Sequence, residues 1–179
     1  MRLLLLLFTS FLFLAAACTK ADDDTPSTPF DELPPATQVG ANTFGCLING
    51  VPFQNRGGGA TVRNLTTSYQ RTPFEDLSIG GIHFNPEPGI NSRKVIVRSS
   101  QLDIGVISPN FSKPSYRTRS DFEELEYYID STRTYSYSIT FHDETSNIVS
   151  GIFENYSYCP TTGDTVRITD GRFDVIYFE

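Results

Sequence analysis

The chain predicts an all-β protein: an antiparallel β-sandwich, with a small closed β-barrel as the alternative, following an N-terminal region that builds no core. Three observations predict it. Short apolar alternations recur at spacings of about 8–12 residues. Gly, Pro, Asn and Asp separate them, with 13 Gly and 11 Pro in 179 residues. Several segments alternate apolar and polar residues strictly, the period of a half-buried strand. The composition is globular, 39% apolar and 20% charged, and residues 42–179 suffice to bury one self-contained core.

The first 41 residues read differently. Met1-Arg2 is a short positive start, residues 3–14 are apolar apart from Thr9 and Ser10, and Ala15-Ala16-Ala17 precedes Cys18. The apolar run is about half the roughly 20 residues a spanning helix needs, so it predicts a cleavable signal peptide over 1–17. Small residues followed directly by Cys resemble the lipobox of bacterial lipoproteins. That resemblance implies a diacylglycerol on the Cys18 thiol, cleavage before it and an acylated new N-terminus; the alternative is an ordinary signal peptide cut after Ala17. Thr19-Lys20-Ala21-Asp22-Asp23-Asp24 is similar to the Lys-plus-acidic surface-export signal of Bacteroidota lipoproteins. It implies a cell-envelope protein on the outward side of the outer membrane. Residues 18–41 also carry Pro26, Pro29, Pro34 and Pro35 with five acidic side chains, a composition that predicts an extended, disordered tether.

From residue 42 the strands can be placed in order. Asn49-Gly50 is a strong hairpin signal, since both turn positions require positive φ. Folding about it pairs Ile48 with Val51 and Cys46 with Phe53, puts Phe44 on their face, and sets Pro52 opposite Leu47, which suits an edge strand. Segments 61–69, 77–84 and 94–98 read as strands. Residues 120–129 are ambiguous: Ser120 and Glu123 have the spacing of a helix capping box, while Tyr127 and Ile129 alternate with Glu126 and Tyr128 as in a strand. Tyr135, Tyr137, Ile139 and Phe141 alternate with polar residues, 143–147 is a polar turn, and 148–158 returns as a long strand with Gly151 at a bulge or close approach. Asp170-Gly171 predicts a second hairpin between 164–169 and 172–178. It would pair Ile168 with Phe173, Val166 with Val175, and Arg167 with Asp174 as a cross-strand salt pair.

With Cys18 assigned to lipid, Cys46 and Cys159 remain. In an oxidising envelope they could form a disulfide closing a loop of about 113 residues, for which chain entropy gives about 5 kcal/mol; the alternative is a buried thiol and a loop thiol.

Two longer motifs carry a further resemblance. Residues 33–38 (LPPATQ) and 42–50 (NTFGCLING), together with 148–153 (IVSGIF) and 169–174 (TDGRFD), resemble the ends of small Bacteroidota cell-surface lipoproteins classed as domains of unknown function. This implies a lipid-anchored β domain and no particular activity.

Chemistry-bearing motifs are few. The chain has two His, His83 and His142, with no HExxH and no CxxC, so no metal site and no cofactor is expected. No GxSxG marks a serine nucleophile. The Gly57-Gly58-Gly59 run lacks the GK[ST] of a phosphate loop and reads as a flexible loop. Asp121, Glu123, Glu124 and Glu126 lack the spacing of a calcium loop and read as a solvated acidic face. Net charge is −7, a poor match to nucleic acid. Tyrosine is concentrated late, at Tyr127, Tyr128, Tyr135, Tyr137, Tyr156 and Tyr158, and the first four make a candidate binding face for a protein or glycan. The absence of Trp weighs mildly against the glycan. The expectation is a noncatalytic binding or structural accessory domain held to a membrane by its lipid. The alternatives are a polysaccharide-acting hydrolase and a lipocalin-like carrier of small ligands.

Overall fold

In the computed structural model, residues 33–55, 64–70 and 76–178 are described; the predicted signal peptide, Cys18 and the Gly57–Gly59 run lie outside them. Eleven strands and no helix occupy the described residues: β1 Thr43–Ile48, β2 Val51–Gln54, β3 Leu65–Gln70, β4 Asp76–Glu87, β5 Ile90–Ser99, β6 Gly105–Val106, β7 Pro114–Arg119, β8 Glu124–Ile129, β9 Ser136–Asp143, β10 Ile148–Tyr158 and β11 Thr165–Ile176. All pair antiparallel in the order β2-β1-β11-β10-β8-β7-β5-β4-β3, with β9 bonded to β10 and β6. β10 is shared, its first part paired with β9 and its last two residues with β8.

The sheet curls into a half-barrel whose two walls pack face to face. Phe44 of β1 lies against Gly81 of β4, and Phe44, Phe153, Ile139, Ile168, Val97 and Leu77 fill the interior. At the open seam β3 meets the end of β11: the Thr67 hydroxyl donates to the Ile176 carbonyl at 3.0 Å, and the Tyr69 N–H to the Phe178 carbonyl at 3.0 Å. The curl leaves no continuous ladder there, so the closed barrel does not form.

The first hairpin has the predicted register, Ile48 with Val51, Leu47 with Pro52 and Cys46 with Phe53. Asn49 and Gly50 take φ of 51° and 81°, and β2 is an edge strand, so the missing N–H of Pro52 costs no ladder bond. β9 and β10 pair antiparallel across the predicted polar turn at 143–147. The register shift at Gly151 leaves Thr140 of β9 as the extra residue, and a Phe173 ring lies within reach of any Cβ at 151, so that glycine is a close approach facing a bulge in the neighbouring strand. Residues 124–129 are a strand; the Ser120 hydroxyl still accepts from the Glu123 N–H at 3.1 Å, a capping contact that opens a strand.

Asp170-Gly171 is not a hairpin turn. β11 runs through it unbroken, and the extra residue sits in a bulge relative to both neighbours: Leu47 and Gly45 oppose Thr169 and Arg172, Asn155 and Phe153 oppose Ile168 and Gly171. Val166, Ile168, Phe173 and Val175 are all buried, but Arg167 lies opposite Tyr156, and Asp174 opposite Ser150 and Thr43. The predicted Arg167–Asp174 pair is absent. A two-residue turn and a one-residue bulge both swap which alternate residues face inward, so alternation fits either.

The predicted tether boundary also moves. Leu33 is buried, and residues 37–41 strap across the outside of β10 and β11 onto one carboxylate. Asp174 accepts from the Thr37 hydroxyl at 2.6 Å, from the N–H groups of Val39, Gly40 and Ala41 at 3.1, 2.9 and 3.1 Å, and from the Ser150 hydroxyl at 2.8 Å. Burial opposes its charge, but these donors outweigh burial and hold its pKa at about 2. Packed structure therefore begins by residue 33 rather than 42.

Candidate binding face

β10 positions the site by alternation. Val149, Phe153, Asn155 and Ser157 point inward, and Ile152, Glu154, Tyr156 and Tyr158 outward. The ladder extends this outward set of β10 onto four further strands in rows: Val106, Ser138, Ile152 and Arg172; then Ser136 and Glu154; then Tyr156 and Arg167; then Tyr128, Tyr158 and Thr165. Paired residues share a face and touch laterally. Two shallow cavities run along it, of about 350 and 170 Å³, and both are lined by Ser136 and Glu154, so they form one trough. Ala36 of the strap borders one end, and Tyr135 the other.

The trough is rich in guanidinium and aromatic groups. Arg133 and Arg167 lie over the Tyr156 ring, with Cζ at 5.0 and 5.6 Å from its centroid, arrangements worth about 0.5–1 kcal/mol each at a surface. The 130–133 turn presents Arg133: the Asp130 carboxylate accepts from the Thr132 N–H at 3.0 Å and holds Arg133 Nε at 3.4 Å. Arg172 donates to the Asp170 carbonyl at 3.3 Å and the Pro34 carbonyl at 3.4 Å, tying the strap to the trough. Tyr135 meets Phe111 edge-on at 5.2 Å. Val106 is 88% exposed and Ile152 47%.

The four predicted tyrosines divide. Tyr135 and half-buried Tyr128 reach the outside, where the Tyr128 hydroxyl donates to Glu126 at 2.9 Å. Tyr127 and Tyr137 are only 6% and 1% exposed and belong to the core, because their alternation phase turns them inward. Tyr127 packs on Tyr116 at 5.1 Å. The Tyr137 hydroxyl accepts from Asn155 Nδ2 at 2.7 Å, Ser157 donates to Asn155 at 2.7 Å, and Ser157 and Ser115 share a 2.7 Å bond, one buried polar chain. Tyr156, Arg133, Arg167, Arg172 and Glu154 complete the face. The legible signal was phase: Val149 and Phe153 face inward, which forces Tyr156 and Tyr158 outward.

The predicted disulfide is not formed; Cys46 and Cys159 are both buried free thiols. Cys46 lies beside the β11 bulge near residue 170, whereas the Cys159 N–H bonds to the Asp164 carbonyl at 2.8 Å. Six residues of strand separate the two levels by about 20 Å, far beyond the roughly 7 Å limit between bonded Cα atoms.

Other surfaces offer less. A cavity of about 460 Å³ at the β3–β11 seam is lined by Asn42, residues 64–67, Ile176 and Phe178 without an ionisable group. Within the acidic run, Glu124 and Glu126 are met by Arg117 at 3.7 and 2.7 Å. His142 Nε2 is 3.0 Å from the Tyr177 hydroxyl, and the Asp143 carboxylate accepts from the Thr145 N–H at 2.8 Å. Among the described residues no three His, Cys, Asp or Glu converge as a metal site. Comparison with protein-family profiles, curated proteins and solved structures found no match to this chain.

Proposed function

We propose that this chain is a lipid-anchored envelope protein, displayed on the outer membrane, whose β domain binds a partner noncatalytically through the outward face of β6, β9, β10 and β11. The observation that carries the binding reading is the trough between Tyr135 and the strap, where Tyr, Arg and exposed aliphatic groups gather on a rigid sheet. Tyr and Arg are enriched among the residues that dominate interface energetics. The anchor reading is supported by the Ala15-Ala16-Ala17-Cys18 motif, and display by Lys20 with the Asp22–Asp24 run. A carrier role lacks support, because large side chains fill the interior around Phe44 and Phe153.

The test is crosslinking on intact cells followed by capture of the protein. The native chain is expected to retain a partner that is lost with Ile152→Asp/Tyr156→Ala and kept with Glu126→Ala on another part of the sheet. Equal capture by all three would remove this face from the function. Labelling with a palmitate analogue should mark the native chain and spare Cys18→Ala. A hydrolase reading has one supporting feature, Glu154 and Asp170 lining the same cavity. It requires release of reducing ends from a polysaccharide, abolished by Glu154→Gln.

A further inference from the structure

We infer that Lys94 is a site of reversible carbamylation, its ε-amine taking dissolved carbon dioxide to form a carbamate held by Arg98 and Arg117. The site lies on the outward side of β3, β4, β5 and β7, apart from the trough, and does not depend on it.

Strand register builds the site. Val95 and Val97 point into the core, so Lys94, Ile96 and Arg98 point outward. Lys94 stands directly opposite Arg117 of β7, and Arg98 opposite Ser78 of β4. Two like charges thus share a cross-strand pair, an arrangement that costs stability. Gly80 makes room for the Lys94 side chain over β4: a Cβ there would fall 2.7 Å from Lys94 Cε and 2.8 Å from Thr66 Oγ1. Ile96, between Lys94 and Arg98, is only 3% exposed although it faces outward, so little water reaches the ground between them. The carboxylates of this face act on the guanidiniums. Glu126 and Glu124 meet Arg117 at 2.7 and 3.7 Å, and Asp76 and Glu126 act on Arg98. Among the described residues no carboxylate acts on Lys94. Burial first, then Arg117 and Arg98, lower its pKa, which enlarges the share of neutral, nucleophilic amine.

The product fits its surroundings better than the reactant does. The amine lone pair attacks the carbon of carbon dioxide, an N–C bond forms, one C=O π pair moves onto oxygen, and an amine proton passes to water. The side chain goes from a cation to an anion, and the like-charge pair becomes an ion pair with a planar guanidinium. An acyl donor would leave a neutral amide and an aldehyde a neutral or cationic imine, so neither product gains from these guanidiniums.

The experiment equilibrates the full lipidated protein, in neutral detergent, with ¹³C-labelled bicarbonate at mildly alkaline pH. The carbamate is read by ¹³C resonance, trapped as its ethyl ester with triethyloxonium and located by peptide mass spectrometry. The chain's other lysines are Lys20 and the exposed Lys113, so Lys113 is a reference within the same folded molecule. Trapping at Lys94 is expected to exceed that at Lys113 about tenfold. Arg117→Gln and Arg98→Gln should each lower it about threefold to tenfold, the part of a close charge effect that survives at a half-buried surface. Lys94→Arg should abolish the carbamate resonance. Equal trapping at Lys94 and Lys113, or none at Lys94, would overturn the site whatever the variants do. Undiminished trapping in both arginine variants would overturn the role of the guanidiniums.

Discussion

The Ser150 hydroxyl donates a 2.8 Å hydrogen bond to Asp174 across the β10–β11 ladder, and each residue is only 1% exposed. Both lie on the outward side of the sheet; residues 37–41 bury them. One carboxylate thus joins two strands to a segment more than 130 positions away in sequence. It withstands burial because five donors surround it.

That arrangement makes stability depend on pH. The folded pKa of Asp174, about 2, lies below its ordinary value of 3.8, so the charged form favours folding. The contribution, on the order of 1–2 kcal/mol, is complete above about pH 4 and disappears as pH falls through 2. Urea unfolding of the native protein should lose that increment across this window. Asp174→Asn should lose it at every pH and show a flatter profile, with faster amide exchange at Val39, Gly40 and Ala41. Identical profiles for the two proteins would detach the strap from this carboxylate.

Tyr137 and Tyr135 should respond oppositely to loss of their hydroxyls. Tyr137→Phe leaves the buried Asn155 amide without its acceptor, a cost of about 1–3 kcal/mol. Tyr135→Phe changes an exposed ring and should stay within about 0.5 kcal/mol. Chemical denaturation of both variants decides it; equal costs would contradict the inward and outward assignment.

At the β11 bulge, a Cβ on Gly171 would fall 2.4 Å from the Phe153 carbonyl oxygen, within the backbone of the neighbouring strand. Gly171→Ala should therefore destabilise by more than the roughly 1 kcal/mol expected of an alanine at an open positive-φ turn such as Gly50. A hairpin at 170–171 would predict similar costs at both glycines. A double-mutant cycle between Arg167 and Asp174 should give coupling near zero, where the hairpin pairing would give up to about 1 kcal/mol.

Neither Cys46 nor Cys159 should react with a thiol reagent in the folded protein, and both should react after denaturation without reductant. Burial raises the Cys46 thiol pKa far above its ordinary value, which further suppresses the thiolate that reacts. Two thiols that stay silent after denaturation would mean that they are bonded.

Much of the architecture could be read from local order. Asn49-Gly50 specifies its hairpin because the left-handed turn and the alternation on either side demand one register. The run from Tyr137 to Phe153 likewise specifies a strand, a polar turn and a strand. These are short-range constraints, expressed within about twenty residues. Asp170-Gly171 has the same local chemistry as the first turn, and nothing within its own segment distinguishes a reversal from a bulge. The neighbours do: β1 and β10 hold β11 from both sides.

The face was legible only in part, for the same reason. Tyrosine enrichment pointed to the right region, but burial of Tyr127 and Tyr137 depends on how each strand's phase meets the opposite wall. The guanidiniums over Tyr156 arrive from the 130–133 turn and from β11, segments joined through β10 alone. By itself, the order of residues determined an all-β chain, its leading hairpins and the lipobox-like start, since turn dihedrals and alternation are properties of neighbours along the backbone. Only the tertiary structure decided that β11 continues through Gly171 without reversing, that residues 33–41 belong to the domain and that Arg133 and Arg167 meet over Tyr156. Those outcomes depend on hydrogen bonds and burial between segments far apart in the chain, whose energies no local window contains.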